Sequence, residues 1–247
     1  AGASYSPAAN ITIYARWTGI SYTITYYSNG ATSGTVPAPG SFTAGGSATT
    51  IASNSGTLER TGYTFSNWDT STAGTGTTFT AGASYSTNAN LNLYAKWAPV
   101  ARTVTYSLNS GSGTTPTQLT NKYIGETFTV SSAAAFSRAG FAFTGWSDGT
   151  NSYSAGATYT VASTDVTLTA QWTGLSYSIT YTANGGSGSL PTQINLSNGE
   201  TFTVQTNSLT KTGYSFVAWN DGTANYAPGA TYTMNTANVS LLSLIHI

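Results

Sequence analysis

One heptapeptide is used three times: GYTFSNW at residues 62–68, GFAFTGW at 140–146 and GYSFVAW at 213–219. A chain that reuses a phrase at near-constant spacing folds as copies of one supersecondary unit, so the repeat fixes the domain organisation before any element is assigned. A second phrase keeps step with it. ITIYARW ends at Trp17, LNLYAKW at Trp97 and VTLTAQW at Trp172. Between the two lie AGASY at 81–85, AGATY at 155–159 and PGATY at 228–232, and a further AGASY opens the chain. Each unit begins on a short alternating run: YTITY at 22, RTVTY at 102 and YSITY at 177. The expected domains are residues 18–97, 98–172 and 173–247, with 1–17 as the C-terminal part of a preceding repeat. A chain that opens mid-phrase is expected to be a fragment of something longer.

Within a unit the pattern has period two. Tyr22, Ile24 and Tyr26 fall on one face of YTITY and Thr23 and Thr25 on the other, as a half-buried strand requires. Leu91, Leu93, Ala95 and Trp97 alternate in the same way with Asn92, Tyr94 and Lys96. GETFTV, at 125 and again at 199, and GYTFSNW read as two more strands. Turns are expected where positive φ is cheap, at Asn29-Gly30, Asn109-Ser110-Gly111, Asn184-Gly185-Gly186, Asp148-Gly149 and Asp221-Gly222. Little or no helix is expected, and the best candidate for a helical turn is SSAAAFSRAG at 131–140. Linkers of about four or five residues between a closing Trp and the next strand should limit bending, since short connections hold neighbouring elements together.

The aromatics raise the central question of function, because a ring cluster can be a binding platform or a core. Modules this short bury a small fraction of their surface, and each ring removes about 150–250 Å² from water, so core packing is the expected use. The candidate core anchors are Trp17, Tyr63, Phe65, Trp68, Trp97, Phe141, Phe143, Trp146, Trp172, Tyr214, Phe216 and Trp219. The competing use is sugar stacking, which needs the rings exposed. Arg60, Arg138 and Lys211 precede the repeated glycine by two residues, and they are expected to solvate the strand edge rather than stack on a ring. Before the closing Trp stand Arg16, Lys96 and Gln171, which excludes a Lys forming an internal isopeptide bond in every unit.

Composition removes several function classes. Seven basic and seven acidic side chains make up 6% of the chain and cancel, so there is no basic footprint for nucleic acid. The chain has no cysteine and one histidine, His246, so no His-based triad, thiolate zinc site or haem ligation is expected, and no cofactor. Of the carboxylates, Asp148 and Asp221 sit in Trp-x-Asp-Gly turns and Asp69 is displaced by one residue, so no shared catalytic pair emerges. No apolar run is long enough to insert in a membrane.

A Y-T-V-T-Y-like strand with a following Asn-Gly, then Arg60-Thr61-Gly62-Tyr63-Thr64-Phe65-Ser66-Asn67-Trp68, then Leu93-Tyr94-Ala95-Lys96-Trp97, resembles the Listeria/Bacteroides repeat, the internalin B-repeat-like family of bacterial surface proteins. The other two units match as well, apart from the last strand of the third. The resemblance implies a mainly β tandem array of three small modules, each a β-grasp-like mixed sheet or, alternatively, an immunoglobulin-like sandwich. It implies no enzymatic activity and an extracellular or cell-surface bacterial setting. The expected function is a spacer or stalk with adhesive modules, and the alternative is carbohydrate-binding accessory modules of a secreted polysaccharide-active enzyme. Partners would be host-surface or cell-wall glycans or proteins, bound weakly and multivalently, besides the neighbouring repeats.

The third unit closes differently. NVSLLSLIHI places Ile245 where a Trp is expected, with Leu242 and Leu244 at positions held by Thr169 and Gln171 in the second unit. Exposed leucines on a terminal strand invite aggregation, so residues 242–247 are expected to be non-native and the final strand truncated. Sequencing the locus from intact DNA tests this; a continuous native frame encoding LIHI would overturn it.

Overall fold

A computed structural model describes residues 9–133 and 135–246, with the side chains of 245 and 246 outside the description. The chain divides into two compact units after Val100, the first holding one module and the second two. Every described element is a strand, bridge, turn or coil, and among the described residues there is no helix.

Each module is built on a mixed five-stranded sheet. The opening strands are Ser21–Tyr27, Arg102–Ser107 and Ser176–Thr182, and they pair antiparallel with Gly40–Thr43, Leu119–Lys122 and Ile194–Ser197, the second strand of each sheet along the chain. The closing strands, Leu91–Pro99, Val166–Gly174 and Val239–His246, lie parallel to the opening strands. On the far side of each closing strand runs the aromatic strand, Tyr63–Asp69, Phe141–Ser147 or Ser215–Asn220, which turns back into a two-residue edge strand. Numbered along the module, the sheet order is 2-1-5-3-4 in all three. The central parallel pair fits the expected mixed sheet, not the face-to-face antiparallel sheets of a sandwich.

Two features of the sequence settle this arrangement locally. Ile24 and Tyr26 point inward from the opening strand and Leu91, Leu93 and Ala95 from the closing strand, so pairing them in parallel gathers one apolar face. The predicted Asn-Gly turn then follows with two successive positive φ values, 46° at Asn29 and 82° at Gly30, and an Ala31 N–H to Ser28 C=O bond of 3.2 Å. Asn29 Nδ2 donates to Ala95 C=O at 2.8 Å, Asn109 to Ala170 at 2.9 Å and Asn184 to Ser243 at 3.0 Å, tying the turn to the closing strand in every module.

A small second sheet covers that face. Thr127–Thr129 pairs with Thr158–Thr160 and Thr201–Thr203 with Thr231–Thr233, with Phe128 opposite Tyr159 and Phe202 opposite Tyr232. Thus GETFTV forms the strand expected of it, and the AGATY phrase is its partner. In the first module Thr49–Thr50 and Ser84–Tyr85 do the same. The helical turn expected at 131–140 does not form among the described residues there. Phe136–Ser137 pairs with Ser112–Gly113 instead, because this places Phe136 in the core, where its ring meets those of Phe143 and Trp146.

Closing strands run two residues past the Trp, to Pro99 and Gly174, so the sheets overrun the boundaries expected at 97 and 172. Only Val100 and Ala101 separate the first two sheets and only Leu175 the second and third; counted from the closing Trp to the next strand, the connections are residues 98–101, four as expected, and 173–175, one fewer. The strand Val239–His246 pairs with the opening strand over Val239–Leu242 and with the aromatic strand over Leu242–His246. Ile245 stands opposite Phe216 as Trp172 stands opposite Phe143, and Leu242 is 38% exposed.

Candidate functional site

The three Trp residues of the repeated heptapeptide are fully buried. Trp68, Trp146 and Trp219 each have 0% of their surface exposed, and each indole N–H donates to a backbone carbonyl, of Ala52 at 2.9 Å, Ser131 at 2.8 Å and Gln205 at 2.9 Å. The opening-strand Tyr grips the same residue from the other side: Ala52 N–H donates to Tyr26 Oη at 2.8 Å and Gln205 N–H to Tyr181 Oη at 3.3 Å. Tyr106 Oη takes the Ser131 N–H in the second module; burial raises its phenol pKa and that bond lowers it, for a net rise. In each module the Tyr and Trp rings meet at 4.7 Å between centroids. A Trp–Tyr clamp therefore holds one residue at both its N–H and its C=O, and this uses the polar edge of the indole inside the fold.

A β-bulge makes this possible. Pairing with the closing strand shifts between Phe65 and Asn67, between Phe143 and Gly145 and between Phe216 and Ala218. Strict alternation would turn Phe65 and Trp68 to opposite faces; the extra residue turns both inward, with ring centroids 5.1 Å apart. Phe65, Phe143 and Phe216 pack against the three cores, as do Trp97 and Trp172.

The remaining predicted anchors are not core. Trp17 is 90% exposed, because residues 10–20 form no strand and its ring lies against no sheet face. Tyr214 is 42% exposed, and Tyr63 and Phe141 are half-buried and outside the core clusters. All three sit at the start of the aromatic strand, where the tight turn before it decides their surroundings. In Arg60-Thr61-Gly62-Tyr63 the Tyr63 N–H bonds Arg60 C=O at 2.9 Å, with Gly62 at φ 79°, and the first and fourth side chains come to the same side. The guanidinium of Arg60 lies 4.3 Å from the Tyr63 ring centroid, that of Arg138 3.9 Å from Phe141, and the Lys211 ammonium 4.9 Å from Tyr214. The expectation that these cations merely solvate the edge is overturned: the turn places each one over a ring. Arg60→Ala should cost about 0.5–1 kcal/mol in urea unfolding and Arg60→Lys much less, since Lys211 performs the same contact.

Beside this turn lies a shallow cleft. In the first module it holds about 420 Å³ between Thr32, Glu59, Arg60, Tyr63, Phe65 and Trp97, and in the third Ser187, Thr210, Lys211, Tyr214 and Phe216 line its counterpart. Sequence reading missed Thr32 and Glu59, whose Oε2 takes the Ser33 hydroxyl at 2.9 Å. Their only signal was proximity to the Asn-Gly turn and the basic residue. The Trp97 indole N–H is tied to Asn29 C=O at 2.8 Å.

The structure brings no acid pair together in this cleft, where Glu59 is the one carboxylate. Asp148 accepts from the N–H groups of Thr150 and Asn151 and from Tyr153 Oη, so it closes its hairpin as its sequence context suggests. Asp221 does the same with Thr223, Ala224 and Tyr226. Burial pushes the Asp221 pKa up, but the donors outweigh it and hold the carboxyl at about 2. With the folded pKa below the unfolded value, its contribution to stability is present above about pH 4 and is lost as pH falls through about 2. Asp221→Asn should remove that part of the acid-unfolding limb, measured by fluorescence between pH 4 and 2. Asp69 is wholly buried and bonded to Ser71 N–H at 2.9 Å, Gly76 N–H at 2.9 Å and Lys96 Nζ at 3.1 Å. Among the described residues no three His, Cys, Asp or Glu side chains group as a metal site would require.

The geometry is that of a repeated structural module, and comparison with known proteins agrees. The Listeria-Bacteroides repeat domain matches residues 22–96, 103–171 and 177–243, one match for each five-stranded sheet. The chain belongs to the Listeria-Bacteroides repeat family. Its relatives include two proteins of Evansella cellulosilytica. One, described as "Putative Gly-rich membrane protein", is 31% identical over 80% of this chain and 23% of its own length. The other, described as "Putative membrane protein", is 40% identical over 94% of this chain and 34% of its own length. The chain thus spans about a quarter to a third of these curated relatives. No solved structure matches it. Among the described residues no helix is long and apolar enough to cross a membrane.

Proposed function

We propose that these Listeria-Bacteroides repeats form a non-catalytic spacer in an extracellular or cell-surface bacterial protein, each module a helix-free variant of the β-grasp. The observation that carries this reading is the Trp–Tyr clamp: the rings that could have made a platform are sealed into three separate cores. A spacer needs modules that fold alone and connections too short to collapse, and the one- and two-residue connections supply the second. The relatives' printed names support an envelope setting. Adhesion, where present, would come from many weak contacts made together by the repeats, with glycans or proteins of a host surface or cell wall as partners.

The test is mechanical and optical. Pulled from its ends, the chain should give three separate unfolding events of similar contour length, and its Trp emission should not move on addition of a glycan panel. A second reading, glycan binding by accessory modules, is favoured by the recurrence of the cleft at Tyr63 and Tyr214. Saturable glycan binding abolished by Tyr63→Ala and Tyr214→Ala would replace the spacer reading with that one.

A further inference from the structure

Within the second unit one contact joins two repeats through a feature every repeat carries. Gly140 is the glycine of the Arg138-Ala139-Gly140-Phe141 turn, and it is buried. A Cβ built on it would stand 2.6 Å from Cβ of Asn198, the turn residue immediately after the second strand of the following repeat. The Asn198 amide also lies over it, with Cγ and Nδ2 at 3.0 Å. Leu175, the single residue between the two sheets, bonds the same glycine from its own side, N–H to Gly140 C=O at 2.8 Å. The turn of one repeat is thus the seat of the next.

The third module has the same seat, uncovered. Lys211-Thr212-Gly213-Tyr214 has the same 3.0 Å closing bond as the second module's turn, and φ is 82° at Gly213 against 78° at Gly140. Gly213 is nevertheless exposed, with no atom within 4 Å of a built Cβ, and Tyr214 is 42% exposed where Phe141 is half-buried. Identical backbone with opposite burial means that the seat is preformed and does not depend on its occupant. We infer that the basic-x-Gly-aromatic turn is the inter-repeat docking surface of this family's modules, and that the turn at Gly213 accepts the second-strand end of a further repeat of the same kind. Continuity with the Gly140–Asn198 joint fixes the occupant: it must follow a closing strand by one residue and present a side chain such as Asn198 across the glycine.

The test extends the chain by one repeat. Val166 and Val239 occupy the same register position against their opening strands, so a second copy of residues 166–238 inserted between Asn238 and Val239 adds a repeat in phase. The copy carries Tyr214→Phe to keep its peptides distinct. Hydroxyl-radical footprinting of Tyr214 should then fall severalfold relative to the parent chain. In the parent, Gly140→Ala should lower the unfolding midpoint more than Gly213→Ala, because both incur the positive-φ cost and only the first meets Asn198; in the extended chain Gly213→Ala should become as harmful as Gly140→Ala. Unchanged labelling of Tyr214, or an unchanged Gly213→Ala effect in a folded extended chain, overturns the inference.

Discussion

Trp146→Ala should unfold the second module at denaturant concentrations where the other two remain folded. Truncating a large buried aromatic costs about 3–5 kcal/mol, and small domains have only about 5–15 kcal/mol in total. The indole here is fully buried against Tyr106, Phe136 and Phe143, so the loss should fall at the upper end of the range. The effect stays local because the three buried clusters share no residue. Hydrogen exchange resolved by module, followed through a urea series, is the measurement. Trp146→Phe separates the two halves of the effect. It keeps most of the ring contacts and leaves Ser131 C=O without its donor, which should cost about 1–3 kcal/mol. If Trp146→Ala leaves the exchange of the second module unchanged, the clamp is not what holds it.

The repeat made the fold largely legible, and the reasons differ from one element to the next. Alternation at YTITY and LNLYAKW identified the inward faces because each strand has one wet side, and the buried set Ile24, Tyr26, Leu91, Leu93 and Ala95 is the one the pattern selects. The Asn-Gly turns were legible because few residues accept positive φ. What a period of two cannot show is a place where the period breaks. The bulge after Phe65 is such a place: nothing in Phe65-Ser66-Asn67-Trp68 announces an extra residue, yet it decides that Phe65 and Trp68 share a face. The cation–ring contacts were missed for a similar reason. Arg60 and Tyr63 are neighbours only because the turn between them closes on Gly62, and spacing along a strand would have set them on opposite faces. Tyr214 and Trp17 looked like core by kinship to other aromatics, but burial is a property of what lies opposite, which the phrase itself does not contain.

Asp69 carries the other large prediction, and it turns on register. Compared by sequence offset from Trp68 it matches neither Asp148 nor Asp221; compared by pairing with the closing strand it matches Ser147 and Asn220. Lys96 likewise matches Gln171 and Leu244. The ion pair of the first module is thus replaced by neutral pairs in the others, both partners changing together. Removing Asp69 alone empties a buried carboxylate position, takes the acceptor from the partly buried Ser71 and Gly76 N–H bonds and leaves Lys96 without its counter-charge, and Asp69→Ala should cost about 3 kcal/mol. Lys96→Gln should cost less, since its side chain is about a third exposed and the carboxylate keeps its other donors. Changing both residues to the pair found in the second module, Asp69→Ser with Lys96→Gln, should recover part of the Asp69→Ala loss, and urea unfolding of the four chains measures it as a coupling energy. The same pair also sets a pH response. Burial raises the Asp69 pKa, but Ser71, Lys96, Gly76 and Thr78 together hold it below the ordinary carboxylate value, so its stabilisation is present at neutral pH and lost only on acidification. The first module of Asp69→Ser, Lys96→Gln should therefore unfold with a flatter acid limb than wild type; an equally steep limb would show that Asp69 is not the group whose protonation releases it.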